Sequence, residues 1–213
     1  MPRPPALKLS PDAFAQLAPP SNSALTALRH ATRARHTRID RLMDLRRLQE
    51  RPRYGRVLQA FDAFLGPWEQ SVALALPARW HRWLHERSRR GFLQDDLAQL
   101  ALRPLPAPAP EVPRLASTAA AWGSLYVIEG SALGGQVITR ALARAGVRPG
   151  NGAAYFHGWG EDTHGLWQEF TGLLHEQVAG PPAVATACAA ACATFDALTA
   201  HLETTLDERI AAA

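Results

Sequence analysis

An all-α, single-domain helical bundle is the fold class this sequence predicts, on three observations. The 213-residue chain is 47% hydrophobic with only two cysteines, which suits one ample core and no disulfide framework. Apolar residues recur at steps of three and four through long Ala- and Leu-rich segments, with Pro or Gly between the segments. The sequence contains no convincing alternating strand pattern and no internal repeat.

The elements follow in order. Residues 1–23 form an N-terminal extension in which Ser10-Pro11 starts a short helix and Pro19-Pro20 ends it, and the helical domain spans 24–213. Asn22 and Ser23 cap a helix over 24–46. Further helices are expected over 52–75, 78–89 and 92–101. Residues 103–113 are Pro-rich and read as an extended surface connector. A long Ala-rich helix covers 114–145, residues 146–160 are a Gly-rich loop, and two last helices run over 161–178 and 182–208.

The helix over 24–46 carries one stripe of Leu25, Leu28, Thr32, His36, Ile39 and Met43, which places His36 on its apolar face and predicts that it is buried. A lone buried His is more often a hydrogen-bonded core residue than a metal ligand. Asp40 stands one turn on, where it can accept from one ring nitrogen and leave the other free for a metal. Arg29 and Arg33, seven and three residues before His36, suit charge-assisted bonds to carboxylates of a bound group, or else a solvated helix face.

The helix over 114–145 contains Leu125-Tyr-Val-Ile-Glu-Gly130-Ser-Ala-Leu-Gly134-Gly135-Gln136. Each glycine costs roughly 1 kcal/mol against Ala inside a helix, so three of them point to a bared backbone. Gly130 and Gly134 are four apart and share a face, and Gly135 loosens the helix enough to bend it. The bared face would take either a large flat ligand or a second helix at close approach.

Together these two segments resemble the heme oxygenase family. Ala31-Thr-Arg-Ala-Arg-His36 is similar to its proximal helix and Gly130-Ser-Ala-Leu-Gly-Gly-Gln136 to its distal helix, most nearly in the form of the bacterial enzymes that supply biliverdin to bacteriophytochromes. The resemblance runs from about residue 24 to 206. It implies a helical bundle with haem, both substrate and cofactor, between a proximal and a kinked distal helix. His36 would be the axial ligand and the metal-binding residue, Asp40 its orienting partner, and Arg29 and Arg33 contacts to the propionates. Gly130 and Gly134 would border the oxygen side, with Gly130 and Ser131 at the catalytic position. The implied reaction is oxidative cleavage of haem to biliverdin, carbon monoxide and ferrous iron, using oxygen and external electrons.

Two departures from the family pattern stand out. Ser131 occupies a position where many relatives have an Asp that organises proton-delivering waters, and a hydroxyl can relay a hydrogen bond but holds no charge. The later segment Gly165-Leu-Trp-Gln-Glu-Phe-Thr-Gly172 lacks the basic residues some relatives use for propionates.

Among other candidates, His81 and His85 have zinc-compatible spacing but no third ligand, so a solvated face is the better reading. Cys188 and Cys192 share a face of the last helix and suit small-residue packing. Tyr54, Phe61, Phe64 and Phe195 suit core packing or porphyrin contact. His157 and His164 flank the Gly-rich loop, and Asp95-Asp96-Leu97-Ala98 is expected to be structural.

The net charge is +4 with pI about 9.7, and nearly all the cationic charge is arginine. The arginines are scattered and no nucleic-acid reading motif accompanies them, which argues against a nucleic-acid partner. They suit an acidic electron donor such as a ferredoxin or flavodoxin with its reductase, and the family resemblance implies a bacteriophytochrome as biliverdin acceptor. No hydrophobic run of membrane-spanning length and no signal-peptide core is apparent, so the sequence reading is a cytoplasmic protein without a membrane partner. Two other functions compete: a haem-binding or haem-transfer protein without turnover, favoured by Ser131, and a non-haem helical enzyme of thiaminase or metal-carboxylate type. The thiaminase type wants an activated Cys and the metal-carboxylate type a set of Glu and His ligands on facing helices, whereas Cys188 and Cys192 stand in an Ala-rich helix without nearby activating groups.

Overall fold

The computed structural model describes residues 24–106 and 109–207, so the expected short first helix and the Asn22/Ser23 cap lie outside the described residues. Eight α-helices are found among them: α1 (Ala24–Met43), α2 (Arg51–Ala75), α3 (His81–Arg87), α4 (Arg90–Gln99), α5 (Thr118–Arg144), α6 (Ala154–His157), α7 (Thr163–Gln177) and α8 (Pro181–Leu206). Short 3-10 turns join several of them, and the described residues contain no strand.

Local chemistry sets the boundaries. The first helix ends at Met43 rather than 46 because Asp44 turns left-handed (φ 43°) and its carboxylate accepts from the Arg46 amide at 3.1 Å. The expected helix over 78–89 divides into a 3-10 turn (Ala78–Trp80) and α3, which stops at extended Ser88. Ser117 opens α5 by accepting from the Ala120 amide at 3.2 Å. At its other end Gly146 (φ +80°) provides the left-handed stop. Pro181 and Pro182 start α8 where their missing amides cost nothing.

The segment over 146–160 is not only a loop. It contains α6, held from a distance by Asp96 of α4, whose two carboxylate oxygens accept from the amides of Ala154 and Tyr155 at 2.7 and 2.8 Å. Asp96 is fully buried, and desolvation pushes its carboxyl above the ordinary range against the pull of those two donors. Its role is structural, as its sequence neighbourhood suggests.

The core lies between α2, α5 and α8, with α1 packed on α8. Trp122, Phe64, Phe170 and Leu28 are among its fully buried side chains. Full burial of an aliphatic or aromatic side chain of this size contributes ~1.5–3 kcal/mol. A buried polar chain fixes the register: Trp68 donates to Ser124 Oγ at 2.8 Å, and Ser124 shares a 2.7 Å bond with Thr194. Helix α5 meets α8 at Gly123, where an added Cβ would lie 2.0 Å from the Ala187 carbonyl oxygen, so only glycine permits the crossing.

Helix α8 corrects one expectation. By length and composition it is apolar enough to cross a membrane, contrary to the reading that no run reaches that length. In the fold it packs against α1, α2 and α5, the position of a core helix.

Candidate functional site

Between α1 and α5 lies a cavity of about 860 Å³, within the range of small-molecule and cofactor sites. One wall is the face of α1 bearing Arg29, Arg33, His36 and Asp40. The opposite wall is α5 from Tyr126 to Ile138, while Phe61, Tyr155, Trp167 and Phe195 close the ends.

His36 is not buried. Its side chain is 61% exposed, because the apolar stripe of α1 faces the cavity at this point instead of a packed neighbour. Its Nδ1 is paired with Asp40 Oδ2 at 2.9 Å, one helical turn away. This pairing leaves Nε2 free of the bond to Asp40. Phe195 of α8 meets the imidazole edge-on, with 6.0 Å between ring centres, and limits its rotation. Helix α1 is tied to α8 by Arg35 on Asp196 (2.9 Å) and Arg38 on Glu203 (2.8 Å). Arg29 and Arg33 are both on the cavity wall, at the end nearer the start of α1.

The three glycines of α5 divide by role. A Cβ on Gly134 would meet nothing within 4 Å, and one on Gly130 would reach only the Trp167 ring, at 3.6 Å, so both bare the backbone to the cavity. Gly135 faces away from it. A Cβ there would stand 2.3 Å from the Phe156 carbonyl oxygen, so this glycine admits α6 at close approach. Gln136 supports the same contact by donating to the His157 carbonyl at 2.9 Å.

Ser131 lies on the cavity wall with its hydroxyl already bonded. It donates to the Ile128 carbonyl at 2.7 Å and accepts from Arg89 Nη2 at 2.6 Å. Arg89 is buried, donates also to Ile128 O at 2.8 Å, and lies over the Tyr155 ring at 4.9 Å. Beside it, buried Arg87 pairs with Glu129 of α5. Sequence reasoning missed these arginines, since a helix expected over 78–89 does not show which of its charged residues face inward, and only the fold turns Arg87 and Arg89 into the core. The signal available was Glu129, a charged residue in an otherwise apolar stretch of α5.

Most of the other candidates fall outside the cavity. His81 bonds the last carbonyls of α2, at Ala73 and Leu76, and no group of three metal-ligating side chains occurs among the described residues. His164 pairs with Gln168 at the surface. Tyr54 and Phe64 belong to the core, whereas Phe61 and Phe195 reach the cavity. Cys192 packs on α1, its thiol 3.5 Å from the Ala31 carbonyl.

The heme oxygenase family model matches residues 22–204. The chain belongs to the heme oxygenase family. It is 36% identical over 154 residues to a heme oxygenase of Xanthomonas campestris pv. campestris, covering 72% of this chain and 84% of that one. The NO- and CO-bound heme oxygenase of Neisseria meningitidis shares its fold, with a TM-score of 0.71 at 22% identity over 87% of this chain and 92% of that one. The family membership makes the chain an oxidoreductase that degrades haem, with haem as both bound group and substrate, served by a reductase as electron donor. The cavity fits such a group. It offers an imidazole oriented by a carboxylate on one side, a wall bared of side chains on the other, and two arginines at one end.

Proposed function

We propose that this heme oxygenase holds haem through His36 Nε2, with Arg29 and Arg33 on the propionates and the bared backbone of Gly130 and Gly134 covering the opposite face. The observation that carries the reading is the His36–Asp40 pair, 2.9 Å apart, on a cavity wall that faces two glycines. Bound haem supplies the iron at which oxygen is reduced and the porphyrin that is opened to biliverdin, carbon monoxide and ferrous iron.

The chain's own groups do the rest. Asp40 accepts from Nδ1–H, so the imidazole is a neutral ligand of fixed tautomer. Arg29 and Arg33 stand at one end and set which edge of the macrocycle enters first. Gly130 and Gly134 leave room for a small molecule on the open side, and their backbone limits how it leans. At Ser131 the hydroxyl spends its proton on Ile128 O, so it orders water beside the cavity as an acceptor held by Arg89 rather than as a free acid. The missing carboxylate at Ser131 is the feature that would favour haem carriage, and family membership speaks against that alternative.

The finer partners belong to the same proposal. An acidic ferredoxin or flavodoxin suits a chain of net charge +4, a bacteriophytochrome is the proposed biliverdin acceptor, and the cytoplasm is the proposed compartment. The test is an absorption titration of the purified chain with hemin, followed by reductant and oxygen. Saturable binding, then loss of the Soret band as biliverdin absorption grows, is expected. A persistent Soret band would replace turnover with haem carriage.

A further inference from the structure

A row of aromatic rings leads from the cavity wall into the core and out to the half-buried Trp83 of α3. It starts at Trp167 of α7, which lines the cavity with Tyr126 6.0 Å away between ring centres. Phe170 follows at 5.5 Å, then Trp122 at 5.8 Å, then Trp83 of α3 at 5.4 Å. Phe170 and Trp122 are fully buried, whereas Trp83 is half-buried.

Core packing accounts for the burial of these rings but not for their polar ends. The indole N–H of Trp122 is buried with no acceptor, whereas Trp83 donates to the carboxylate of Glu169 at 3.1 Å. Glu169 is 51% exposed, so a proton received there can pass to water. The Arg87 guanidinium lies 5.5 Å from the centre of the Trp83 ring. A fixed cation there opposes a positively charged ring and favours one that has lost its N–H proton.

We propose that this row is an escape path for oxidising equivalents, ending on Trp83. The inference rests on the haem reading above, because the oxidant it drains is peroxide reacting at bound haem. Iron supplied with oxygen and electrons is a place where peroxide forms whenever porphyrin opening does not follow. Cleaving the peroxide O–O bond to give two waters takes two electrons and two protons: the bound haem would supply one electron, solvent the protons, and Trp167 or Tyr126 the other electron. Trp122 replaces that electron across Phe170, which is not itself oxidised, and Trp83 replaces it in turn. Trp83 gives up one electron to the row and one proton to Glu169, leaving a neutral indolyl radical at the half-buried end. A solvent thiol or ascorbate then returns one electron and one proton. Electron tunnelling falls off exponentially with distance, so rings in contact divide one long transfer into short ones.

The test uses the full chain loaded with hemin and mixed with hydrogen peroxide, freeze-quenched for electron paramagnetic resonance, with oxidised peptides mapped by mass spectrometry. A neutral Trp radical is expected, with oxygenation at Trp83 several-fold above that at Trp167. Trp83→Phe keeps the ring and its packing. It should abolish that radical and raise oxidation at Trp167 and Tyr126 several-fold. Glu169→Gln should weaken the neutral radical while the Soret band is unchanged. An unchanged radical and product pattern in Trp83→Phe, or equal Trp83 oxidation by peroxide without hemin, would overturn the path alone. Absence of a Soret band on titration would overturn the haem reading and the path together.

Discussion

The ring of His36 shows how one side chain acquires its role from a neighbour. Its Nδ1 is committed to Asp40, so the tautomer is set before anything enters the cavity. His36→Ala removes the nitrogen and should abolish the His-ligated spectrum of the hemin complex, and a normal His-ligated spectrum in that variant would overturn the assignment. Asp40→Ala leaves the imidazole in place without its orienting carboxylate. Loss of such an outer partner typically costs ~10–100-fold in metal affinity, which a competitive hemin titration would measure. A second histidine is tied to pH instead. His201 of α8 stacks on Phe64 and bonds the Ala60 carbonyl at 3.1 Å, and burial holds it below the ordinary histidine value of 6.5. Because the folded state resists protonation more than the unfolded chain, His201's contribution to stability is intact above pH 6.5. It declines as pH drops through that value towards the lower folded one. Chemical denaturation across pH 5 to 8 should show this slope, and His201→Gln should flatten it.

At the scale of elements, α5 separates two reasons for keeping glycine. Gly134→Ala puts a methyl into open space and should stabilise the fold by ~0.5–1 kcal/mol through helix propensity, while narrowing the cavity. Gly135→Ala drives a methyl into the Phe156 carbonyl and should cost ~1–3 kcal/mol, read as a lower thermal midpoint. Sequence spacing shows that Gly130 and Gly134 share a face, but which of two adjacent glycines meets a ligand and which a helix depends on where α6 lies. Helix α6 was itself illegible. It is four residues long inside a Gly-rich stretch, and it is held by Asp96, whose partners stand 58 and 59 positions away. Asp96→Ala would leave two buried amides unpaired, at ~1–3 kcal/mol each, and should loosen the cavity end formed by Tyr155 and Phe156. The helices of α1, α2 and α8 were legible nearly to their ends, because a strong 3.6-residue period outlasts local exceptions such as Pro67 inside α2. The same period could not distinguish a face lining a cavity from a face in the core, which is why His36 read as buried.

At the scale of the whole molecule, the two walls of the cavity are held in different ways. The α1 face of the cavity is fastened to α8 by two exposed ion pairs, Arg35 with Asp196 and Arg38 with Glu203, and pairs of this kind contribute ~0.2–1 kcal/mol each. The α5 wall, by contrast, is locked to α8 at Gly123 and to α2 through the Trp68–Ser124–Thr194 chain. Helix α1 also packs on α8 through buried Leu28 and Thr32, but residues 33–42 around His36 include no buried residue, so a group that bridges the walls through His36 should tie that less buried stretch to the stiffer wall. A ligand bound only by the folded state stabilises it by about 2.7 kcal/mol when present at 100 times its dissociation constant. For a domain of this size that corresponds to a rise in thermal midpoint of roughly 5–10 °C. Hemin at that excess should raise the midpoint of the wild-type chain by this amount and raise that of His36→Ala by much less. Native-state hydrogen exchange gives the location: protection should increase in α1 and change little in α5. Equal gains in both helices would mean that the cavity opens and closes as one unit rather than through its proximal wall.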